Sequence, residues 1–322
     1  MEYDWNSLDE LRTTYLEGTA GKADYWSGDT LLAGYDATFA RRIAWKWQFV
    51  FGELARLNWT PPAGPVVDWG CGTGVAAREF LTAYAGTGAG KDGVWLHDRS
   101  SKAVRFAAAA VRREFPGVNV NLGVPVEERF TLLISHVLTE LNDAALADLL
   151  KLVERAAAVI WVEPGTSAAS QRLVQAREKL RETFHPIAPC LHRERCGLLA
   201  AGHEQDWCHF FAPAPNEVYT DAEWVRFGRV MGIDLRSLPL SYLVLDRRVP
   251  APRPEGAVRL VGRRRLYKGH ALLDACDASG VHERRFTKRT DPALFRSMNK
   301  HRTSTLQQWT LEGNEVTSLK EL

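Results

Sequence analysis

The stretch Val66-Val67-Asp68-Trp69-Gly70-Cys71-Gly72-Thr73-Gly74 decides how the chain is read. A short apolar run ends in an acidic residue, three glycines follow at alternate positions, and residues 75–84 have a helical pattern. Strand, glycine turn and helix in that order expose backbone N–H groups at a helix N-terminus, where glycine allows a ligand to approach closely. The spacing is not the dinucleotide-binding G-x-G-x-x-G, and the Lys-Ser/Thr of a P-loop is missing.

Outward from this turn, strand and helix patterns alternate. A Gly-rich break (Gly86, Gly88, Gly90, Gly93) leads to a second strand, Val94-Trp95-Leu96-His97-Asp98. Residues 102–115 predict a helix, 118–122 a third strand and 130–138 a buried strand. Asn142 caps a helix carrying Leu146, Leu149, Leu150 and Val153 on one face. A fifth strand covers 159–162, and Ser167 opens a helix with Leu173, Ala176 and Leu180. Tyr242-Leu243-Val244-Leu245 reads as a later strand. This order predicts an α/β fold, with a mostly parallel sheet covered on both faces. Upstream, residues 1–60 read as helical. Asn6 or Ser7 is the expected cap for Leu8, Leu11 and Tyr15, and a helix over 31–57 carries Phe39, Ile43, Trp47, Phe51 and Leu54 until Pro61-Pro62 stops it.

The chain has 322 residues, 45% apolar and 25% charged, which excludes collagen-like and low-complexity classes and leaves room for about two domains. The expected division is a helical N-terminal region 1–60, an α/β domain 61–250 with an insertion at 186–215, and a C-terminal segment 251–322. The apolar runs fall well short of the roughly 20 residues that cross a bilayer, so no membrane partner is expected. The acidic start Met-Glu-Tyr-Asp is unlike a secretory or mitochondrial leader. That predicts a cytoplasmic, bacterial protein; a processed organellar chain of the matrix reads the same.

Two segments depart from the alternation. Residues 188–212 contain three of the five cysteines, and 250–302 follow a joint of Pro250, Pro252 and Pro254, with short strands expected around Gly262, Gly269 and Gly280. Residues 259–302 hold 12 Lys+Arg against 4 Asp+Glu, a local +8; with a total of +2 the remainder is −6. The basic residues Arg263-Arg264-Arg265, Lys268, Arg284-Arg285, Lys288-Arg289, Arg296, Lys300 and Arg302 are interleaved with Tyr267, His270, Phe286, Phe295 and His301. Charge of this kind is drawn to phosphates and such rings stack on unpaired bases, although a solvated face has the same composition.

Asp98, at the end of the second strand, is placed to accept from a ribose diol. Asp68, Gly70, Gly72, Gly74 and Asp98 together resemble the S-adenosylmethionine site of Rossmann-like methyltransferases. The acceptor-positioning Asn/Asp-Pro-Pro-aromatic of amino-group methyltransferases is absent after the fourth strand, which ends Ser135-His136-Val137-Leu138-Thr139-Glu140-Leu141. His136 and Glu140 are candidate bases, with core or helix-capping roles favoured, and Cys71 reads as a small buried residue. No catalytic residue is assigned.

Cys190, Cys196 and Cys208 are spaced C-x5-C-x11-C, and Cys276 lies 68 positions beyond Cys208. An insertion with little core of its own can be held by metal; four thiolates suit zinc or an iron–sulfur cluster, and His185, His192, His203 and His209 leave a mixed zinc site open.

Several pieces resemble the methyltransferase-like family that assembles the mitochondrial small ribosomal subunit, with its bacterial relatives. They are Ser135–Leu141 as quoted, Val162-Glu163-Pro164-Gly165-Thr166, Ala188-Pro189-Cys190-x-His192, Asp206-Trp207-Cys208-His209-Phe210, Ser241-Tyr242-Leu243-Val244-Leu245, and Gly269-His270 leading to Cys276. The resemblance implies a Rossmann-like methyltransferase sheet with a helical N-terminal region, a cysteine-rich insertion and a small basic β-rich C-terminal segment. It implies S-adenosylmethionine as a ligand and a [4Fe–4S] cluster on Cys190, Cys196, Cys208 and Cys276, with zinc as the alternative. The family often has Cys-Pro-His and Cys-Pro, where this chain has Cys190-Leu191-His192 and Cys196-Gly197. The implied function is a small-subunit assembly factor that docks on rRNA, not DNA. The alternatives are an active rRNA methyltransferase and a small-molecule methyltransferase with a zinc-stapled lid; the basic C-terminal segment argues against the latter.

Overall fold

The structure is a computed structural model that describes residues 4–17, 24–126, 129–299 and 304–322. The chain forms two compact units, Met1–Pro164 with Phe211–Tyr242, and Gly165–Phe210 with Leu243–Leu322.

The first unit begins with α1 (Trp5–Leu16), α2 (Asp29–Tyr35), a π-helical turn (Asp36–Ala40) and α3 (Arg41–Arg56). Asp4 caps α1, accepting from the Ser7 N–H at 3.1 Å, so the cap lies earlier than the expected Asn6 or Ser7. The α/β body then runs β1 (Gly64–Trp69), α4 (Val75–Ala83), β2 (Ala89–His97), α5 (Ser101–Glu114), β3 (Val120–Leu122), β4 (Thr131–Ser135), α6 (Asp143–Val153) and β5 (Ala158–Pro164). The strand order is β3-β2-β1-β4-β5, all parallel, with Asp68 of β1 level with Leu96 of β2 and Leu133 of β4. In β4 and β5 nearly every residue is buried, as a sheet covered on both faces requires. Asn142 caps α6 as expected, and Ser100 caps α5.

Gly74 ends the turn after β1 at a φ of 80°, and a Cβ there would lie 3.0 Å from the Ala107 Cβ of α5. The position needs glycine twice over: for the left-handed backbone and for the close approach of two helices. On α3, Trp47, Val50 and Leu54 are fully buried, and the Trp47 indole donates to the Ser135 hydroxyl at 3.0 Å. The last helices of this unit, α8 (Glu217–Thr220) and α9 (Ala222–Val230), bring Phe227 against Trp5 and Phe39.

In the second unit, α7 (Ser167–Leu180) precedes β6 (His185–Ala188), and a 3-10 turn (Gly197–Leu199) follows; the divisions between the units fall within β7 (Phe210–Ala212) and β8 (Leu238–Asp246). β6 is antiparallel to the end of β8, pairing His185 with Asp246. The remainder is a closed five-stranded barrel of β9 (Ala257–Leu266), β10 (His270–Asp277), β11 (Gly280–Thr287), β12 (Leu306–Glu312) and β13 (Glu315–Glu321), with α10 (Pro292–Asn299) between β11 and β12. Around the barrel the order is β9-β10-β11-β13-β12. All pairs are antiparallel except β11 with β13. Val258, Leu260, Ala271, Leu273, Ala275, Phe286, Trp309 and Val316 fill it, and Phe295 and Met298 of α10 join that core. Lys300, His301 and Arg302 of the basic segment lie outside the described residues.

Candidate functional site

The glycine turn is organised by two carboxylates and one carbonyl. Asp68 is 0% exposed and accepts from the Ala77 N–H of α4 at 3.0 Å, while its other oxygen has no hydrogen-bond partner among the described residues. Burial pushes its pKa up to about 7. Asp68 therefore shapes the turn from beneath. The carbonyl of His97 accepts from Gly70 at 2.7 Å and Cys71 at 3.0 Å, and Asp98 accepts from the N–H groups of Gly72 and Ser100, both at 2.9 Å. Each Asp98 oxygen keeps a second lone pair for a ligand hydroxyl. All five sequence-derived residues, Asp68, Gly70, Gly72, Gly74 and Asp98, thus sit in or directly against one loop at the carboxyl ends of β1 and β2. Cys71 is buried, and burial raises its thiol pKa further above the ordinary value.

Beside this loop stands an aromatic group that sequence reading missed. Tyr15, Tyr25, Trp26, Tyr35 and Phe39 form a chain of ring contacts with centroids 5.0–5.8 Å apart. The Tyr25 hydroxyl lies 3.4 Å from both Glu140 oxygens, Arg99 lies 3.6 Å from Glu140, and the Arg99 guanidinium sits over the Tyr25 ring. Burial, with Asp98 adding repulsion, lifts the Glu140 carboxyl to about 7. Desolvation, with repulsion from Glu140, raises all three tyrosines. A carboxyl that holds its proton near neutrality among aromatic rings can bind a polar group or exchange a proton.

Directly after β4, His136 adopts a φ of 55° and its Nε2 lies 3.1 Å from the Lys46 ammonium. Burial lowers the Lys46 pKa to about 7 and depresses the His136 imidazole. Glu163 is fully buried and accepts from the Val137 and Leu138 N–H groups at 3.2 Å and the Trp161 indole at 2.7 Å. Desolvation outweighs those donors, so its carboxyl rises to about 7. Both His136 and Glu163 hold the segment after β4 in place.

The four remaining cysteines all belong to the second unit. Their charges act on one another: Cys190 raises Cys196, Cys208 and Cys276, after burial as the larger cause in each case. Burial also lifts the Cys196 thiol to about 11. Two buried cations share the site. Arg177, 2% exposed, pairs with Glu178 and donates to the His192 carbonyl at 2.9 Å. Arg259 is buried, donates to the Pro189 carbonyl at 3.1 Å and stands directly across from Cys276 in the β9–β10 register. The His192 Nε2 lies 3.9 Å from the Cys276 sulfur. Among the described residues, no three His, Cys, Asp or Glu side chains close on a single metal ion. The segment bearing Cys196 is seated on β11: a Cβ on Gly197 would fall 2.6 Å from the Val281 nitrogen and 2.7 Å from the Gly280 Cα.

Among the described residues no helix is long and apolar enough to cross a membrane. Five parallel strands in the order β3-β2-β1-β4-β5, with a glycine turn after β1 and an acidic residue after β2, make the first unit a Rossmann-like methyltransferase fold. A family model described as Rsm22, mitochondrial small ribosomal subunit Rsm22, matches residues 100–304, and the chain belongs to that family. No curated protein sequence matches it. Among solved structures, the plantazolicin methyltransferase BpumL in complex with SAH is similar over 75% of this chain and 99% of its own, with 11% identity and a TM-score of 0.42. Its counterpart BamL, in complex with a triazolic desmethylPZN analog and SAH, covers 75% and 98% at 12% identity and a TM-score of 0.40. A Clostridium acetobutylicum S-adenosylmethionine-dependent methyltransferase covers 43% and 58% at 16% and 0.30. Likeness at this level bears on no ligand or substrate.

Proposed function

We propose that the protein is an assembly factor of the small ribosomal subunit, which binds S-adenosylmethionine in its first unit and a structural [4Fe–4S] cluster in its second, and docks on rRNA. The family supports the ribosomal role. The observation that supports a metal group is that Cys190, Cys196, Cys208 and Cys276 all belong to one unit, with Cys276 level with the buried Arg259 and its sulfur 3.9 Å from the His192 Nε2. A [4Fe–4S] cluster on these four thiols is what the resemblance to the family implies, with zinc as the alternative. Cys190, Cys196, Cys208 and Cys276 would hold it, and it would act as a staple between the cysteine segment and the barrel.

In the first unit, Asp98 would accept from the ribose, and the glycine turn would admit the ligand, with Asp68 holding the turn. The protein purified anaerobically is expected to be brown, with about four iron and four sulfide per chain. Cys276→Ser is expected to lose that content and to melt earlier. A Cys276→Ser protein with full iron and sulfide and an unchanged melting curve would contradict the cluster assignment.

A second reading, an active RNA methyltransferase, draws on Glu140 alone, a carboxyl raised to about 7 within an aromatic enclosure. Transfer of labelled methyl groups to rRNA that is lost in Glu140→Gln would favour it. The missing acceptor-positioning motif after β4 favours the platform role.

A further inference from the structure

The barrel has a topology whose consequence reaches beyond its charge. Numbered within the barrel, its strands run 1-2-3-5-4 and close back on 1, strands 3 and 5 are parallel, and a helix sits between strands 3 and 4. That is the order of an OB-fold, a Greek-key barrel that binds oligonucleotides on the face of strands 2 and 3 and on the loops joining strands 1–2 and 4–5. Here those parts are β10 and β11, residues 267–269, and Gly313-Asn314.

The outward face of β9, β10 and β11 is divided into rows by the register. At one end Arg259, Cys276 and Val281 are level, and this end is taken up by the cysteine segment, through Gly197 against Gly280 and Val281. In the middle row Asp274 faces Glu283, and Arg265 pairs with both, at 2.7 and 3.0 Å. At the other end Arg265, Leu272 and Arg285 are level, and His270 faces Thr287. Only this last end continues into the 267–269 loop.

That loop is built as a platform. The Tyr267 N–H donates to the His270 carbonyl at 2.8 Å, and the Lys288 N–H to the Gly269 carbonyl at 2.9 Å, so both sides of the turn are pinned. Tyr267 and His270 stack at 4.7 Å and 12°, yet Tyr267 remains 50% exposed. Lys268, Lys288 and Arg289 are exposed around it, and Arg285, half exposed, pairs with Glu315 at 3.4 Å. A fixed aromatic face ringed by cations, closed off on one side by acids, fits a negatively charged chain with unstacked bases.

We propose that this end of the barrel, centred on Tyr267 and His270, binds single-stranded RNA. The proposal rests on the rRNA-docking reading and names the surface and the form of RNA. A duplex hides its base faces, whereas each unpaired base offers one to Tyr267. The cysteine segment confines the strand to the loop end of the face.

The test uses the full-length protein and a fluorescein-labelled oligouridylate of about 12 nucleotides, with an RNA duplex of the same length as competitor. The single strand is expected to bind more tightly than the duplex. Tyr267→Ala is expected to weaken binding about tenfold, with Tyr267→Phe close to wild type. Lys268→Glu combined with Lys288→Glu is expected to flatten the logarithmic salt dependence by about 1.4. All variants alter exposed side chains, and melting curves matching wild type check that they fold. If the wild type binds small-subunit rRNA but these variants bind the oligomer and the rRNA unchanged, the barrel surface is wrong and the docking reading stands. Preference for the duplex also overturns the proposal. If the wild type binds no RNA at all, both fall.

Discussion

Glu163 shows how a buried side chain ties stability to pH. Its folded carboxyl keeps its proton up to about pH 7, against an ordinary value of 4.5, because burial outweighs three hydrogen-bond donors. Folding therefore takes up a proton between those values, and this residue's contribution falls as pH rises from about 4.5 to about 7. Gln keeps an oxygen for the donors and does not titrate. Glu163→Gln is expected to be more stable than wild type by up to about 3 kcal/mol above pH 7, with the lead shrinking towards pH 4.5. Urea unfolding at about pH 5 and pH 8 measures it; a difference independent of pH would contradict the assignment. Asp68 and Asp98 were legible in sequence because strand, glycines and acidic residue are local. Lys46 and Glu140 were not read for their settings, because those are made by residues far away: Lys46 meets His136 90 positions on, and Tyr25 meets Glu140 across 115.

Elements were legible where period and punctuation agreed. The parallel strands β1–β5 fall where the apolar runs predicted them, and Pro61-Pro62 follows the helical stretch that ends at α3. That stretch carries a π-helical turn at Asp36–Ala40, which its apolar spacing does not mark; Asp36 there pairs with Arg78 of α4. The barrel was half legible. Gly262, Gly269 and Gly280 marked β9–β11, whereas β12 and β13 extend past the basic stretch in a polar sequence with few buried residues. The seat of the cysteine segment on β11 leaves no sequence signal beyond one glycine. Gly197→Ala would push a methyl into the backbone of Gly280 and Val281. The expected cost is about 1–3 kcal/mol. It should appear as a lower melting temperature together with loss of bound iron, and an unchanged melting temperature would show that the segment can lift without penalty.

For the whole molecule, the charge balance takes on a location. The +8 of residues 259–302 belongs largely to one barrel, and the −6 to the rest of the chain. A net charge of +2 is uninformative about partners, but a basic barrel with the cysteine segment seated on it in one unit is the composition expected of a nucleic-acid surface. The methyltransferase fold in the other unit is consistent with either catalysis or a folded platform, since a fold does not dictate an activity. The central claim is docking on the small ribosomal subunit. It is tested most directly by sedimenting an extract that contains the tagged full-length protein through a sucrose gradient at low salt. The protein is expected to travel with immature small-subunit particles and to leave them as salt is raised. If it stays at the top of the gradient at every salt concentration, in cells that are actively building ribosomes, the account is contradicted.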